Sequence, residues 1–295
     1  MKHISKLLFF TAILTYLLVS TVLAGTAPQK EDEKTSLWLL SSETTYTKRS
    51  GLHGTVGRGD SLYGDYSIDR RFPISGNWYF RTGAEYERLD FGGSSNGLPN
   101  HLQAIYAHLA VEYIVQDHAG AGASLEPGYY FQNRISGDAF DVPWRIWMSF
   151  PLRKDKVFGV IGVGGSLYQN PVVAPGGGII WLINEKVRVE GVFPKPALIY
   201  SPNDNWEFRL LGEIVFESFH TDDVAVLGKP WLNNAVVQYS EYRGGMQVSY
   251  SGFKPFNICV GAGYTFQRKF DFFRADWSQR VGGAPYVKVG LEAKF

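Results

Sequence analysis

Between Asn205 and Phe216 the chain alternates residue by residue. Trp206, Phe208, Leu210, Gly212, Ile214 and Phe216 fall on one face of an extended chain, and Glu207, Arg209 and Glu213 fall on the other. Successive side chains of a strand point to opposite sides, so this is a strand with one apolar and one charged surface. The pattern recurs. Phe256, Ile258, Val260, Ala262, Tyr264 and Phe266 alternate with Asn257, Cys259, Gly261, Gly263, Thr265 and Gln267. Trp144, Ile146, Met148, Phe150 and Leu152 alternate with Arg145, Trp147, Ser149 and Arg153, and Trp78, Phe80, Thr82, Ala84 and Tyr86 with Arg81, Gly83, Glu85 and Glu87. Two architectures accept such strands. In a soluble sandwich the apolar face points to a core; in a membrane barrel it points to lipid and the charged face points to the lumen.

The aromatic residues favour the barrel. They cluster at the ends of the apolar faces, as Trp78 with Tyr86, Trp206 with Phe216, and Tyr242 with Tyr250, whereas the strand centres hold Gly, Ala, Val and Leu. A lipid-facing surface carries aromatic girdles at both interfaces, while a sandwich core concentrates its bulk at strand centres. Short turns such as Ile74-Ser75-Gly76-Asn77 and Pro202-Asn203-Asp204-Asn205 alternate with longer polar connections near 92–100, 133–141, 169–176, 221–234 and 271–283. The expected strands are 37–48, 61–72, 77–89, 102–115, 119–132, 142–152, 156–168, 177–182, 186–192, 196–201, 205–218, 235–250, 256–269 and 284–295. The fold class read from this is all-β: a single antiparallel up-and-down transmembrane barrel of about 14 strands. If 177–201 is one meandering strand, the count falls to about 12. Phe193-Pro194-Lys195-Pro196 must then be a turn at the long-loop end for the larger count to hold, since proline has no N–H for a ladder.

Residues 1–24 read as a secretory signal peptide. Lys2 and Lys6 precede an apolar run from Leu7 to Leu23, and Val22-Leu23-Ala24 ends it on a cleavage pattern. A single N-terminal anchor helix is the rival reading. Thr26 stands where a lipoprotein would need Cys, so no lipid attaches there. Residues 25–36 are expected as a polar periplasmic segment and 37–295 as the barrel. With 29 Lys and Arg against 28 Asp and Glu, the charge gives no argument for nucleic acid. The lone Cys259 excludes an internal disulfide framework, and the six His show no metal-ligand spacing. No cofactor is expected.

The last residues read Val287, Val289, Leu291, Ala293 and Phe295 on one face and Lys288, Glu292 and Lys294 on the other. An alternating segment ending on Phe resembles the targeting signal of bacterial outer-membrane barrels. The resemblance implies export, insertion in the bacterial outer membrane, contact with its lipid, and recognition of Phe295, Ala293, Leu291 and Val289 by the barrel-assembly machinery. More narrowly, Val192-Phe193-Pro194-Lys195-Pro196-Ala197-Leu198-Ile199-Tyr200-Ser201-Pro202-Asn203-Asp204-Asn205-Trp206 is similar to a stretch in a family of outer-membrane barrels known only as a domain of unknown function. That family carries no activity over to this chain.

The alternation assigns a set of ionisable residues to the interior: Arg81, Glu85, Glu87, His108, Glu112, Glu126, Arg145, Arg188, Glu190, Glu207, Arg209, Glu213, Glu217, Glu241, Arg243, Lys288, Glu292 and Lys294. They fit either a charged pore lining for small solutes or a salt-bridged interior that stiffens the barrel. A pore or transport-type protein without enzymatic activity is the expected function; an outer-membrane hydrolase and a structural or surface-binding barrel are the rivals. Two clusters speak for a hydrolase. Ser94-Ser95-Asn96-Gly97 has the look of the Ser-Asn-Gly of outer-membrane phospholipases but lacks a His just upstream, since His101 lies downstream. His220-Thr221-Asp222-Asp223 places His beside acids, and a water-activating site would need a second acid such as Asp60 across the mouth. The glycine runs at 162–165 and 176–178 lack a following helix and a phosphate-binding Lys, and read as strand irregularities.

Overall fold

Fourteen strands close on themselves in the computed structural model, which describes residues 37–53, 58–92, 98–115, 118–222, 224, 232 and 235–295. They are β1 (Leu37–Gly51), β2 (Arg58–Ser75), β3 (Trp78–Gly92), β4 (His101–Ile114), β5 (Gly120–Leu125 continuing as Gly128–Phe131), β6 (Phe140–Asp141 continuing as Trp144–Arg153) and β7 (Val157–Gly165). There follow β8 (Val173–Leu182), β9 (Val187–Val192), β10 (Ala197–Asn203), β11 (Trp206–His220), β12 (Val236–Phe253), β13 (Phe256–Phe272) and β14 (Trp277–Val281 continuing as Ala284–Lys294). The interruptions in β5, β6 and β14 fall at Pro127, Pro143 and Gly282-Gly283, and in each case both halves pair with one neighbouring strand. Every strand runs antiparallel to the next, and β14 pairs with β1 from Tyr286↔Thr47 to Lys294↔Leu39, which completes the ring. No helix among the described residues is long and apolar enough to cross a membrane.

The turns at one end are short for local reasons. Gly76 takes the positive φ of +57° that the β2–β3 turn requires. Asn184 Oδ1 accepts from the Lys186 and Val187 N–H groups, and Asn203 Oδ1 from those of Asn205 and Trp206, at 2.9–3.1 Å. The region 177–201 forms three strands with a turn at 193–196, so the count is fourteen and the twelve-strand alternative falls. Two expected loops are shorter than the sequence indicated. Val173 already pairs with Gly165, and β13 runs to Phe272 because Phe270 and Phe272 pack in an apolar cluster with Val281 of β14.

The two faces separate as the alternation demands. On β11, Trp206, Phe208 and Leu210 are exposed, while Val215 and Phe219 are buried inside. Rings meet around the short-turn end: Trp78 with Tyr113, Trp206 with Tyr250, and Phe256 with Phe295 at centroid distances of 5.0, 4.6 and 6.4 Å. Phe295 also exchanges both backbone hydrogen bonds with Trp38, at 2.9 and 3.0 Å, at the foot of the β1–β14 seam. One face assignment is corrected. A bulge shifts the β12–β13 register between Tyr242↔Gln267 and Arg243↔Thr265. Gln267, expected inside, therefore lies on the outer face opposite Tyr242, and Arg268 turns inward opposite Glu241.

The barrel is uneven in height. β9 and β10 have six and seven residues, against 15 in β11 and 18 in β12. At the long-loop end β5 leans across to β11, where Phe131 and His220 form a single parallel bridge. Beneath that crossing Leu89, Leu102, Tyr106, Tyr130, Phe219, Val237, Tyr239 and Phe270 fill the interior.

A charge on the apolar exterior measures its solvent. Leu210→Arg is expected to destabilise the protein in phospholipid vesicles by roughly 2–4 kcal/mol, the cost of a charge on a lipid face near the midplane. The shift of the urea unfolding transition reads it, and an unchanged transition would take Leu210 off the lipid surface.

Candidate functional site

The interior face carries the charge. Arg81 pairs with Glu112 at 2.8 Å, and Arg188 joins Glu190 and Glu207 at 2.8 Å each. Arg209 reaches Glu207 at 2.5 Å, and Arg145 pairs with Glu126. His108 Nδ1 lies 2.9 Å from Asp69. The Tyr106 hydroxyl donates to Glu87 at 2.9 Å, while Glu85 is half-buried opposite Tyr106 on the β3–β4 ladder. Glu292 accepts from Asn257 at 3.2 Å. Lys294 is exposed at the foot of β14.

The densest knot lies around Glu213 of β11. Its carboxylate faces Lys195 at 2.9 Å, Lys288 at 3.3 Å and Arg243 at 3.5 Å. Lys288 also reaches Glu43 at 2.8 Å, and Arg243 donates to Glu241 at 3.1 Å. Glu213, Arg243, Lys288 and Glu241 are all buried. Four strands converge on the knot, and the β9–β10 turn adds Lys195. A buried ion loses its hydration, and the surrounding opposite charges offset that loss only while each partner stays in place.

Not all of the interior is filled. Arg145 points inward from β6, in register with Gly164 and Ser124, yet its side chain is 54% exposed. Lys195 keeps 37% of its side-chain surface. Glu217, Trp147, Gly162 and Gly176 also turn inward by register and remain accessible. The exposure of these inward groups marks a hollow along β6, β7, β8 and β11, beneath the buried Phe219 of the apolar packing at the long-loop end.

Several of these residues were hidden in the sequence. Glu43, Asp65 and Asp69 lie on β1 and β2, where polar residues occupy both faces and the alternation carries no contrast. Lys195 sits in a turn, outside any periodic pattern. Arg268 faces inward only because of the bulge in β13 opposite Tyr242 and Arg243.

The hydrolase clusters are not assembled. His220 lies on the outer face with its ring 6.3 Å from Tyr168, and Asp222 accepts from Asn133 at 2.7 Å. Asp60 stands at the start of β2 beside Arg49, at 4.0 Å. Residues 94–97 and Asp223 lie outside the described residues. Cys259 faces the interior beside Gly290. Among the described residues no group of His, Cys, Asp and Glu is placed to hold a metal ion.

No protein-family model matches the sequence, and no curated protein matches it. Among solved structures the barrel is similar to an outer-membrane channel from Pseudomonas putida F1, with 8% identity over 92% of this chain and 100% of that one and a TM-score of 0.48. It is similar also to the toluene transporter TodX of P. putida, with 12% identity, 91% of each chain and a TM-score of 0.44. LpxR from Salmonella typhimurium aligns at 10% identity over 88% of this chain and 99% of that one, with a TM-score of 0.38. These likenesses are of barrel architecture and carry no activity with them.

The knot has a measurable weight. Glu213→Gln leaves the buried Arg243 and Lys288, and the partly exposed Lys195, short of one carboxylate and is expected to cost about 3–5 kcal/mol, the range for breaking a buried pair from one side. Glu185→Gln in an exposed short turn should cost almost nothing. Equal urea midpoints for the two variants would remove Glu213 from any structural role.

Proposed function

We propose that the protein is a transport-type barrel of the bacterial outer membrane, serving small solutes without holding an open axial pore. In this reading the chain is exported by its N-terminal signal and assembled through the β1–β14 seam, where Phe295 presents itself to the barrel-assembly machinery. The short turns face the periplasm and the long loops the exterior. The resemblance of residues 192–206 to an uncharacterised barrel family belongs to the same reading.

The observation that carries it is the hollow bordered by Arg145, Lys195 and Glu217, lying under an apolar seal. A purely structural barrel gains nothing from leaving ionisable side chains solvated inside its wall, where each must be hydrated or paired. An open diffusion pore, conversely, would not place Leu102, Phe219 and Tyr239 across its mouth with no exposed surface. A hydrolase at the mouth would need a Ser/His pair or facing acids, and the candidate residues His220, Asp222 and Asp60 are each engaged elsewhere.

Proteoliposome swelling tests the reading. The wild-type barrel is expected to pass a small sugar hardly faster than empty vesicles. Phe270→Ala removes a ring from the seal, where it meets Phe91 and Tyr239 at 4.8 and 5.2 Å, and should raise the rate several-fold. Rapid swelling by the wild type would make it an open pore. No response from the loosened variant would favour a structural barrel.

A further inference from the structure

The barrel wall has a gap over β9 and β10. The β8–β9 ladder reaches up only to Gly178↔Val192, with the Phe193 N–H donating to the Gly177 carbonyl at 3.2 Å, so residues 173–176 of β8 pair with β7 alone. The β10–β11 ladder ends at Ala197↔Leu211. The Gly212 and Ile214 N–H groups then donate to the Pro196 and Pro194 carbonyls, at 2.8 and 3.0 Å. Beyond Ile214, the next strand partner on that edge of β11 among the described residues is Phe131, at His220. The two prolines offer no N–H with which the sheet could grow upward. Above the gap the β7–β8 loop lies against the upper end of β11 and β12: Tyr168 faces His220, and the Asn170 N–H donates to Gln238 at 2.8 Å. β8, β11, the 193–196 turn and this loop thus frame a window. Two missing strands separate its sides by about 14 Å between strand axes, three inter-strand spacings.

The frame is greasy and the space behind it is cationic. Leu167, Val172 and Phe193 expose large apolar side chains around it, in connections that would be polar if water surrounded them. Behind the frame, the surfaces presented to the hollow belong mainly to Arg145 and Lys195. Their partners are set back, with 12% of the Glu126 side chain and 3% of the Glu213 side chain exposed. Glu217 is half-buried on the β11 side of the opening, within electrostatic reach of Arg145, Glu126, Asp65 and Lys195.

We infer that this window opens sideways into the lipid and admits an anionic amphiphile, tail outward in the bilayer and head against Arg145 and Lys195. The inference names the solute class and route for the transport reading, but binding at the window is separable from passage. Gly176 is the natural probe, because it faces the hollow at the frame and an added Cβ would meet only the Phe193 ring, at 3.9 Å. The full barrel in phosphatidylcholine vesicles, given stearate spin-labelled at its tail, should show an immobilised component in the electron paramagnetic resonance spectrum. Gly176→Trp should abolish that component. Arg145→Gln should weaken binding about tenfold, the loss of one charge-assisted hydrogen bond. Gly137→Trp, in an outer loop with open space around the Cβ, should leave it intact. Phosphatidylglycerol that competes would identify the ligand as a resident lipid; failure to compete would identify a free fatty-acid-like solute. The inference is overturned if Gly176→Trp leaves the component unchanged, or if a cationic alkylammonium of equal chain length binds as well as stearate. Binding without transfer of stearate across the vesicle membrane would instead unseat the transport reading and leave the window standing.

Discussion

A bilayer offers no water to the peptide backbone, and each unsatisfied N–H or C=O in hydrocarbon costs several kcal/mol by order of magnitude. A chain of amphipathic strands meets that demand only by closing its sheet. The β1–β14 ladder is therefore the element on which the rest depends. Its lowest rung is the paired exchange between Trp38 and Phe295, and its interior rungs carry Lys288 beside Thr45 and within reach of Glu43. The seam thus joins the backbone, the aromatic girdle and the buried charge in one strand pair. Once it forms, the apolar and charged faces have nowhere else to point.

Strand existence and facing were legible wherever the two faces differ in chemistry. β11 and the lower half of β13 contrast Trp, Phe and Leu with Glu, Arg and Gly, and the structure follows them residue by residue. β1 and β2 were legible as strands but not as faces, since Ser, Thr and acidic residues fill both sides, and so Glu43, Asp65 and Asp69 were missed. The bulge opposite Tyr242 and Arg243 inverted the upper half of β13, because an inserted residue reverses parity without leaving any mark in composition. The charge knot was visible only as a set of signs. Which carboxylate would gather three cations depended on shear between strands and on Lys195 leaning in from a turn. The gap in the wall was the least legible feature, because it consists of pairings that stop early.

The interior charges sit in a balance between cost and specificity. Well-packed apolar residues would stabilise a sealed core at least as well as ion pairs, since desolvation consumes much of the Coulomb attraction. An apolar core is what the long-loop end contains, where Leu89, Phe219 and Phe270 meet. The charge is kept lower down, around a space that is partly open. The same fourteen strands therefore enclose two environments, one a dry packed seal and the other a polar hollow, divided near the level where β5 bends at Pro127.

The low wall at β9 and β10 also reaches beyond the protein. Strands of six and seven residues rise about 20 Å at most, short of a hydrocarbon core of about 30 Å, whereas β11 and β12 exceed it. The bilayer around such a ring cannot have one thickness: it must thin beside β9 and β10 and relax on the opposite side. A neighbouring membrane protein would then meet a different elastic penalty at each bearing around the barrel. An otherwise round object would acquire a front and a back in the plane of the membrane.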